Sequence, residues 1–184
     1  MLIDTSQLWR GGTEPDGTLS EDELAKHGAF VALLRKVVEI LRAFQPLSPV
    51  DWQSKPGAIT HEDAGSILAD TEDALRGIGI SIVIGLGSGT RQSALKHGAA
   101  ISPFSFTVSI AEDPVTNRTQ RASQITCSAA AELVIIALSG IRLANGTCAF
   151  AGFQSLGTES DGLQVTTLTF ETALEITLPK KYTI

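Results

Sequence analysis

The clearest hydrophobic pattern in the chain lies between Pro103 and Gly140. Its first part alternates apolar with polar residues, the period of two that a β-strand with one buried face requires; the apolar members are Phe104, Phe106, Val108 and Ile110. Pro114 ends this strand because it has no N–H to donate to a ladder. After a polar loop at 116–119 the apolar spacing changes to three and four, which predicts a helix from Thr126 to Leu138 with Gly140 as its C-cap.

Two further helices are predicted in the first half of the chain. The first covers 20–44: it opens on a capping box, Ser20 to Glu23, and Pro46 ends it. Its apolar stripe recurs every three or four residues and consists of Phe30, Leu34, Val37, Leu41 and Phe44. A second capping box is predicted at 60–63, and a short helix follows it and ends near 77–79.

Three more strands are predicted, over 80–86, near 148–154 and over 167–178, and the last has the most regular alternation. Between the first two of the four strands, 85–90 is predicted to be a flexible glycine-rich turn and 91–100 a polar connection. The fold class is therefore α+β (α/β): a small, mostly antiparallel or mixed sheet of about four strands, covered by two or three helices.

The 184 residues predict a single domain over 1–184, without internal repeats. We expect an irregular N-terminal arm over 1–19, an α+β core over 20–178 and a loose tail over 179–184. The arm is expected to be mobile or to lie over a neighbouring subunit. A long loop over 45–60 contains Trp52, which we expect to anchor it.

Composition limits the functions that the chain can have. The net charge of −6 argues against a general nucleic-acid binder, which would present a basic face. Apolar residues make up 43% and charged residues 18%, a slight hydrophobic surplus that a subunit interface would explain. No apolar run reaches the length of a membrane span, and the first residues do not resemble a secretory signal, so neither is expected.

The candidate chemistry is weak. The segment Gly85–Thr90 lacks both the third glycine of a dinucleotide-binding turn and the lysine of a phosphate loop. Consecutive residues His61, Glu62 and Asp63 would diverge around a helix, which disfavours a shared metal. Cys127 and Cys148 are expected to be unpaired thiols. We predict no catalytic residue, cofactor or metal; a nucleotide enzyme using 85–90, or an adaptor for a host protein, remain alternatives.

The order of elements resembles the tail terminator, or tail completion, proteins of long-tailed bacteriophages. In that family a strand ends in a turn similar to V-x-E-x-P-x-x-N-R and leads into a helix on the sheet. Here Val108–Arg118 and Ala129–Leu138 correspond, and Leu168–Thr172 opens the closing strand. The resemblance extends over about 75–178.

The resemblance implies a structural virion protein without catalysis or cofactor. It implies a homo-oligomeric ring, typically a hexamer, that caps the tail tube and joins it to the head or neck. Its partners would be the tail tube protein and neck or connector proteins, and DNA would pass through without specific binding. The ring would be assembled in the host cytoplasm and would have no membrane partner. A neck or head–tail connector, or another tail-assembly subunit, is the alternative within the same class.

One loop is a candidate subunit interface. Acidic and basic residues meet there at a strand end, where an ion pair between subunits can form: Glu112, Asp113, Asn117 and Arg118. The alternative is a local turn in which the Asn117 side chain bonds its own backbone.

Overall fold

A computed structural model describes residues 5–50, 58–95, 98–118, 123–156 and 162–177. Its helices are α1 (Glu21–Ala43), α2 (Ile67–Ile78), α3 (Pro114–Asn117) and α4 (Cys127–Leu138). Its strands are β1 (Ile59–His61), β2 (Ile80–Leu95), β3 (Gly98–Glu112), β4 (Arg142–Leu143), β5 (Gly146–Thr147), β6 (Ala149–Leu156) and β7 (Gln164–Thr177). Short 3-10 turns occupy Thr5–Leu8 and Gln45–Leu47.

Five strands form one sheet in the order β1-β2-β3-β7-β6. All neighbouring strands are antiparallel except β1 and β2, which are parallel. The predicted fold class, a small mixed sheet covered by helices, is confirmed. Strand β1 is an additional member that the sequence did not predict, because three residues are too few to show a period.

The core lies between the sheet and the helices α1 and α4. The alternation predicted for β3 and β7 is confirmed: Phe106, Val108, Leu168 and Phe170 are all buried. Phe106 and Phe170 face each other across the two strands, with ring centroids 5.6 Å apart. Burial of such side chains contributes about 1.5–3 kcal/mol each, so this layer is what holds the helices to the sheet.

Helix α1 begins at the predicted capping box. The Ser20 hydroxyl accepts from the Glu23 N–H, and the Glu23 carboxylate accepts from the Ser20 N–H at 2.8 Å and from the Lys36 ammonium at 2.9 Å. Burial alone would raise the pKa of Glu23, but the hydrogen bonds from Ser20 and Lys36 outweigh it and lower that pKa to about 2. Gly28, at φ +75°, kinks the helix within its first third.

The predicted capping box at 60–63 is wrong. Thr60 lies in β1, opposite Val83 of β2, and α2 begins later, after Ser66. The strand pairing continues on both sides of β1, since Ile82 donates its N–H to the Ala58 carbonyl at 2.7 Å. Tertiary hydrogen bonds therefore outweigh the local capping signal. The helix end near 77–79 is confirmed, with Gly79 at φ +77° as C-cap.

The predicted flexible turn at 85–90 is also wrong, because this segment lies inside β2. Glycine there makes room for the neighbouring strand: a Cβ on Gly87 would lie 2.5 Å from the Ser105 hydroxyl. That hydroxyl instead accepts from the Ser88 N–H at 2.7 Å and donates to its carbonyl. Register shifts between Leu86 and Ser93 accommodate the irregular segment within the ladder. The polar connection predicted at 91–100 is likewise strand, apart from two residues outside the described ranges.

The described part of the N-terminal arm packs on its own chain. Trp9 is buried against Phe44, with ring centroids 5.0 Å apart, and the Arg10 N–H donates to the Ala43 carbonyl. Gly17 pairs with Leu143 so closely that a Cβ would lie 2.1 Å from the Arg142 carbonyl oxygen. Trp52 and the predicted tail at 179–184 lie outside the described residues.

The chain after α4 covers the outer edge of β7, the edge away from β3, at residues 172–175. We call this part of the edge its upper part. The Asn145 N–H donates to the Ala173 carbonyl at 3.1 Å, and the Glu175 N–H donates to the Asn145 side-chain oxygen at 2.9 Å. The Thr172 hydroxyl donates to the Leu143 carbonyl at 2.8 Å. The lower part of the same edge is covered by β6, which pairs with β7 from Glu171 down to Val165.

Candidate subunit-interface site

The candidate loop at 112–118 contains a single helical turn, α3 (Pro114–Asn117), whereas the sequence predicted a polar loop over 116–119. Asp113 caps it: one carboxylate oxygen accepts from the Val115 N–H at 3.0 Å and the other accepts from the Thr116 hydroxyl at 2.6 Å. The Thr116 hydroxyl, with help from both backbone amides and against a smaller opposing effect of burial, lowers the pKa of Asp113. Asp113 is therefore ionised at neutral pH and engaged within its own subunit.

Glu112 is buried, with 4% of its surface exposed. One carboxylate oxygen accepts from the Asn117 amide nitrogen at 2.8 Å and the other accepts from the Cys127 N–H at 2.6 Å. Cys127 is the first residue of α4, and its N–H is one of those that the helix itself leaves without a partner. A carboxylate in this position also interacts favourably with the helix dipole. Glu112 thus fastens the end of β3 to the start of α4.

Asn117 joins three segments of the chain. Its amide nitrogen also donates to the Ile125 carbonyl at 2.8 Å, and its oxygen accepts from the Ser123 hydroxyl at 2.8 Å and the Gln124 N–H at 3.0 Å. The Asn117 side chain therefore bonds backbone groups, as the alternative of a local turn predicts. These groups belong to Gln124 and Ile125, seven and eight residues further along the chain, and not to Asn117 itself. Gln124 adopts φ +58° within this arrangement.

The side chains of three of the four candidate interface residues therefore hydrogen-bond within their own chain: Glu112, Asp113 and Asn117. The Arg118 side chain lies outside this group. Arg118 is exposed, and so is Val115, with 82% of its surface accessible. Arg118 lines a cleft of about 350 Å³ with Gln124 and Gln164. An interface role for this loop stays a prediction, and Arg118 and Val115 are the side chains available for it.

A second surface was not predicted from the sequence. Strand β6 leaves Phe150 37% and Phe153 70% exposed, and α4 leaves Ile136 60% exposed. Strand β6 is an edge strand of the sheet, and the bulge in its pairing with β7 places both of its aromatic side chains opposite β7 residues of one face. We call Phe150 and Phe153 the β6 patch. The sequence signal for it is the absence of any charge from Ala149 to Leu156.

A cleft of about 490 Å³ between α1 and β1 is lined by charges of both signs, among them Arg35, Glu39, His61 and Asp63. Burial is the main cause that lowers the pKa of His61, and the charge of Arg35 adds to it, so this imidazole is neutral at pH 7. A lining of mixed sign does not select a ligand of one charge, and we assign the cleft no role.

Both cysteines are buried free thiols, and burial raises the pKa of Cys148 to about 12. In the part of the chain that the structure describes, no three His, Cys, Asp or Glu side chains come together as a metal-binding group. None of the described helices has the length and apolar character needed to cross a bilayer.

Comparison with known proteins gives a fold and no family. No family model matches the sequence, and no curated protein matches it. Among solved structures, a chain of the "Virion of native gene transfer agent (GTA) particle" superposes with a TM-score of 0.51 at 20% identity, covering 80% of this chain and 98% of that one. The chain therefore has the fold of a component of that particle. A crystal structure from Akkermansia muciniphila matches with a TM-score of 0.32 at 10% identity, covering 98% of this chain and 90% of that one, which is too distant to support an argument.

Proposed function

We propose that this chain is a structural protein of a phage-like virion. The observation that supports this most is the shared fold, since nearly the whole length of the particle's chain, 98%, is matched. Fold alone does not define function, so the surface must agree with it. It does, because the β6 patch exposes two large aromatic side chains at one edge of the sheet, as a protein that assembles with others is expected to do.

Within this class we propose a tail terminator: a homo-oligomeric ring, a hexamer in the family that the chain resembles, that caps the tail tube and contacts neck or connector proteins. A closed ring needs a heterologous contact, in which two different patches of the subunit meet. The net charge of −6 suits a ring through which DNA passes without being held. A neck or head–tail connector subunit is the second candidate, and the same fold and patch support it.

The first experiment measures the native mass of the purified protein over a concentration series, with negative-stain images of the same samples. A ring of defined copy number supports the proposal, and a strict monomer at millimolar concentration refutes it. Adding the protein to tail tubes that are still growing then separates the two candidates. A terminator stops elongation, whereas a neck protein leaves tube length unchanged.

The loop at 112–118 is tested with Arg118→Glu. If Arg118 contacts a neighbouring subunit, the charge reversal lowers the ring mass without changing the melting temperature, because the side chain is exposed. Arg76→Glu is the matched control, since Arg76 is exposed on α2 and bonds only weakly to Glu72 at 3.4 Å. A full ring with Arg118→Glu at unchanged stability would remove the loop from the interface.

A further inference from the structure

A short hairpin holds the chain after α4 against the outer edge of β7. Its strands, β4 and β5, have two residues each, and Leu143 pairs with Gly146 across them. Ala144 and Asn145 form the turn between the strands. A Cβ on Gly146 would lie 2.8 Å from the Ala173 nitrogen, so this position has to be glycine for the hairpin to reach β7. The fold therefore places an Asn–Gly sequence on the hairpin, with Asn145 exposed.

An Asn–Gly sequence contains a nucleophile and an electrophile next to each other. The backbone nitrogen of the glycine can attack the side-chain carbon of the asparagine, because glycine has no Cβ to hinder the approach. The attack forms an N–Cγ bond and breaks the Cγ–Nδ2 bond. A five-membered succinimide remains, and ammonia leaves with the proton of the former glycine N–H. Water then opens the ring and leaves either aspartate or isoaspartate, in which the backbone continues through Cγ.

We propose that Asn145 is a site of spontaneous deamidation, with Gly146 as the nucleophile and water as the second reactant. The Asn145 side-chain oxygen accepts from the Glu175 N–H at 2.9 Å. Negative charge develops on this same oxygen during the attack, and a donor that is already in place stabilises it. The hairpin also opens locally at low cost, because its strands are so short. This inference goes beyond the proposed function and does not depend on it.

Two comparable positions in the described chain are protected from the same reaction. Asn117, the other asparagine of the sequence, is buried, and both its amide nitrogen and its amide oxygen have hydrogen-bond partners. Asp16 precedes Gly17, but the Thr18 hydroxyl and N–H donate to its carboxylate and lower its pKa. An ionised carboxylate has no leaving group for the ring closure. At Asn145, in contrast, the amide is exposed, neutral and followed by glycine.

Conversion to isoaspartate detaches the hairpin from β7. The backbone becomes one carbon longer at position 145, and the side-chain amide that bonds Glu175 no longer exists. The bond from the Asn145 N–H to the Ala173 carbonyl, at 3.1 Å, is lost with the geometry of the turn. Ala144 adopts φ +52°, which is unfavourable for a residue other than glycine, so the turn depends on these contacts. We therefore expect the modified protein to be less stable than the unmodified one.

The test follows the incorporation of heavy oxygen at position 145. The folded protein is kept in mildly alkaline water labelled with heavy oxygen, digested with trypsin and sequenced by mass spectrometry. We expect labelled aspartate and isoaspartate at position 145 and no conversion of Asn117 in the same sample. The rate in the folded protein should be at least about one hundredth of the rate in urea, because two backbone hydrogen bonds restrain the site and each is worth about 10-fold at most.

Asn145→Gln is the matched control, because attack on a glutamine has to close a six-membered ring and is much slower. This variant should stay unlabelled and keep its melting temperature on storage. The wild type should accumulate a more acidic fraction, separable by anion exchange, that melts about 4–8 °C lower, as the loss of two hydrogen bonds predicts for a chain of this length. Absence of label at position 145 in the folded protein, when the protein in urea is already converted there, would overturn the inference.

Discussion

The Glu112 carboxylate gives the sharpest test of how this fold is held together. Replacing it by glutamine keeps the shape but changes one acceptor oxygen into an amino group. In the wild type, one carboxylate oxygen accepts from the Asn117 amide nitrogen at 2.8 Å and the other accepts from the Cys127 N–H at 2.6 Å. Whichever way the new amide turns, an N–H points at an N–H, so one bond is lost and a buried donor stays unsatisfied.

The size of the effect follows from these two bonds. A hydrogen bond to a charged group is worth about 1.5–3 kcal/mol, and an unsatisfied buried donor costs about 1–3 kcal/mol. The neutral amide is easier to bury than a carboxylate, which removes part of this loss. We therefore expect Glu112→Gln to lower the free energy of unfolding by about 2–3 kcal/mol. For a chain of this length that corresponds to a fall in melting temperature of about 4–12 °C.

The measurement is urea unfolding followed by circular dichroism, on wild type, Glu112→Gln and the exposed control Arg118→Gln, under conditions in which all three are in the same oligomeric state. Arg118→Gln should lie within about 0.5 kcal/mol of wild type. If Glu112→Gln unfolds at the wild-type urea concentration, Glu112 does not fasten β3 to α4.

Three other substitutions or treatments have defined outcomes. Gly79→Ala should cost about 2–4 kcal/mol in urea unfolding, because φ is +77° and the new Cβ would lie 2.4 Å from the Asn117 nitrogen; a neutral result would contradict it. Cys127 and Cys148 should resist a thiol reagent in the native protein and react fully in denaturant, and fast labelling of the native protein would contradict their burial. Glu23→Gln should lose about 1 kcal/mol at pH 7, since Glu23 is 30% exposed. Because the folded pKa is lowered from 4.5 to about 2, this contribution is complete above pH 4.5 and disappears towards pH 2, so wild type and variant should converge there.

Periodicity predicts the long elements well because one face of each is buried. Strands β3 and β7 and helix α4 all follow this rule, and their positions are confirmed. The errors fall where distant contacts decide the backbone. Glycine at 85–90 suggests a turn, but the hydroxyl of Ser105, on the adjacent strand, holds the segment in the ladder. Thr60 suggests a helix cap, but β2 offers it a strand partner.

The candidate site is only partly visible in the sequence. A glutamate and an asparagine at a strand end suggest surface polarity, and nothing local shows that Glu112 and Asn117 face inward and bond the start of α4. The β6 patch is hidden for another reason. Phe150 and Phe153 are three residues apart, a spacing that places them on opposite faces of a regular strand, and only the bulge between them restores a common face.

Asn145, which occupies the upper outer edge of β7, protects that edge against uncontrolled aggregation. Its side-chain oxygen takes the Glu175 N–H, and its backbone takes the Ala173 carbonyl, so no incoming strand can hydrogen-bond there. Below it, the outer strand on this side of the described sheet is β6, which is 8 residues long. A stop at the upper end limits how far an incoming strand can slide, which favours a finite particle over an endless fibre.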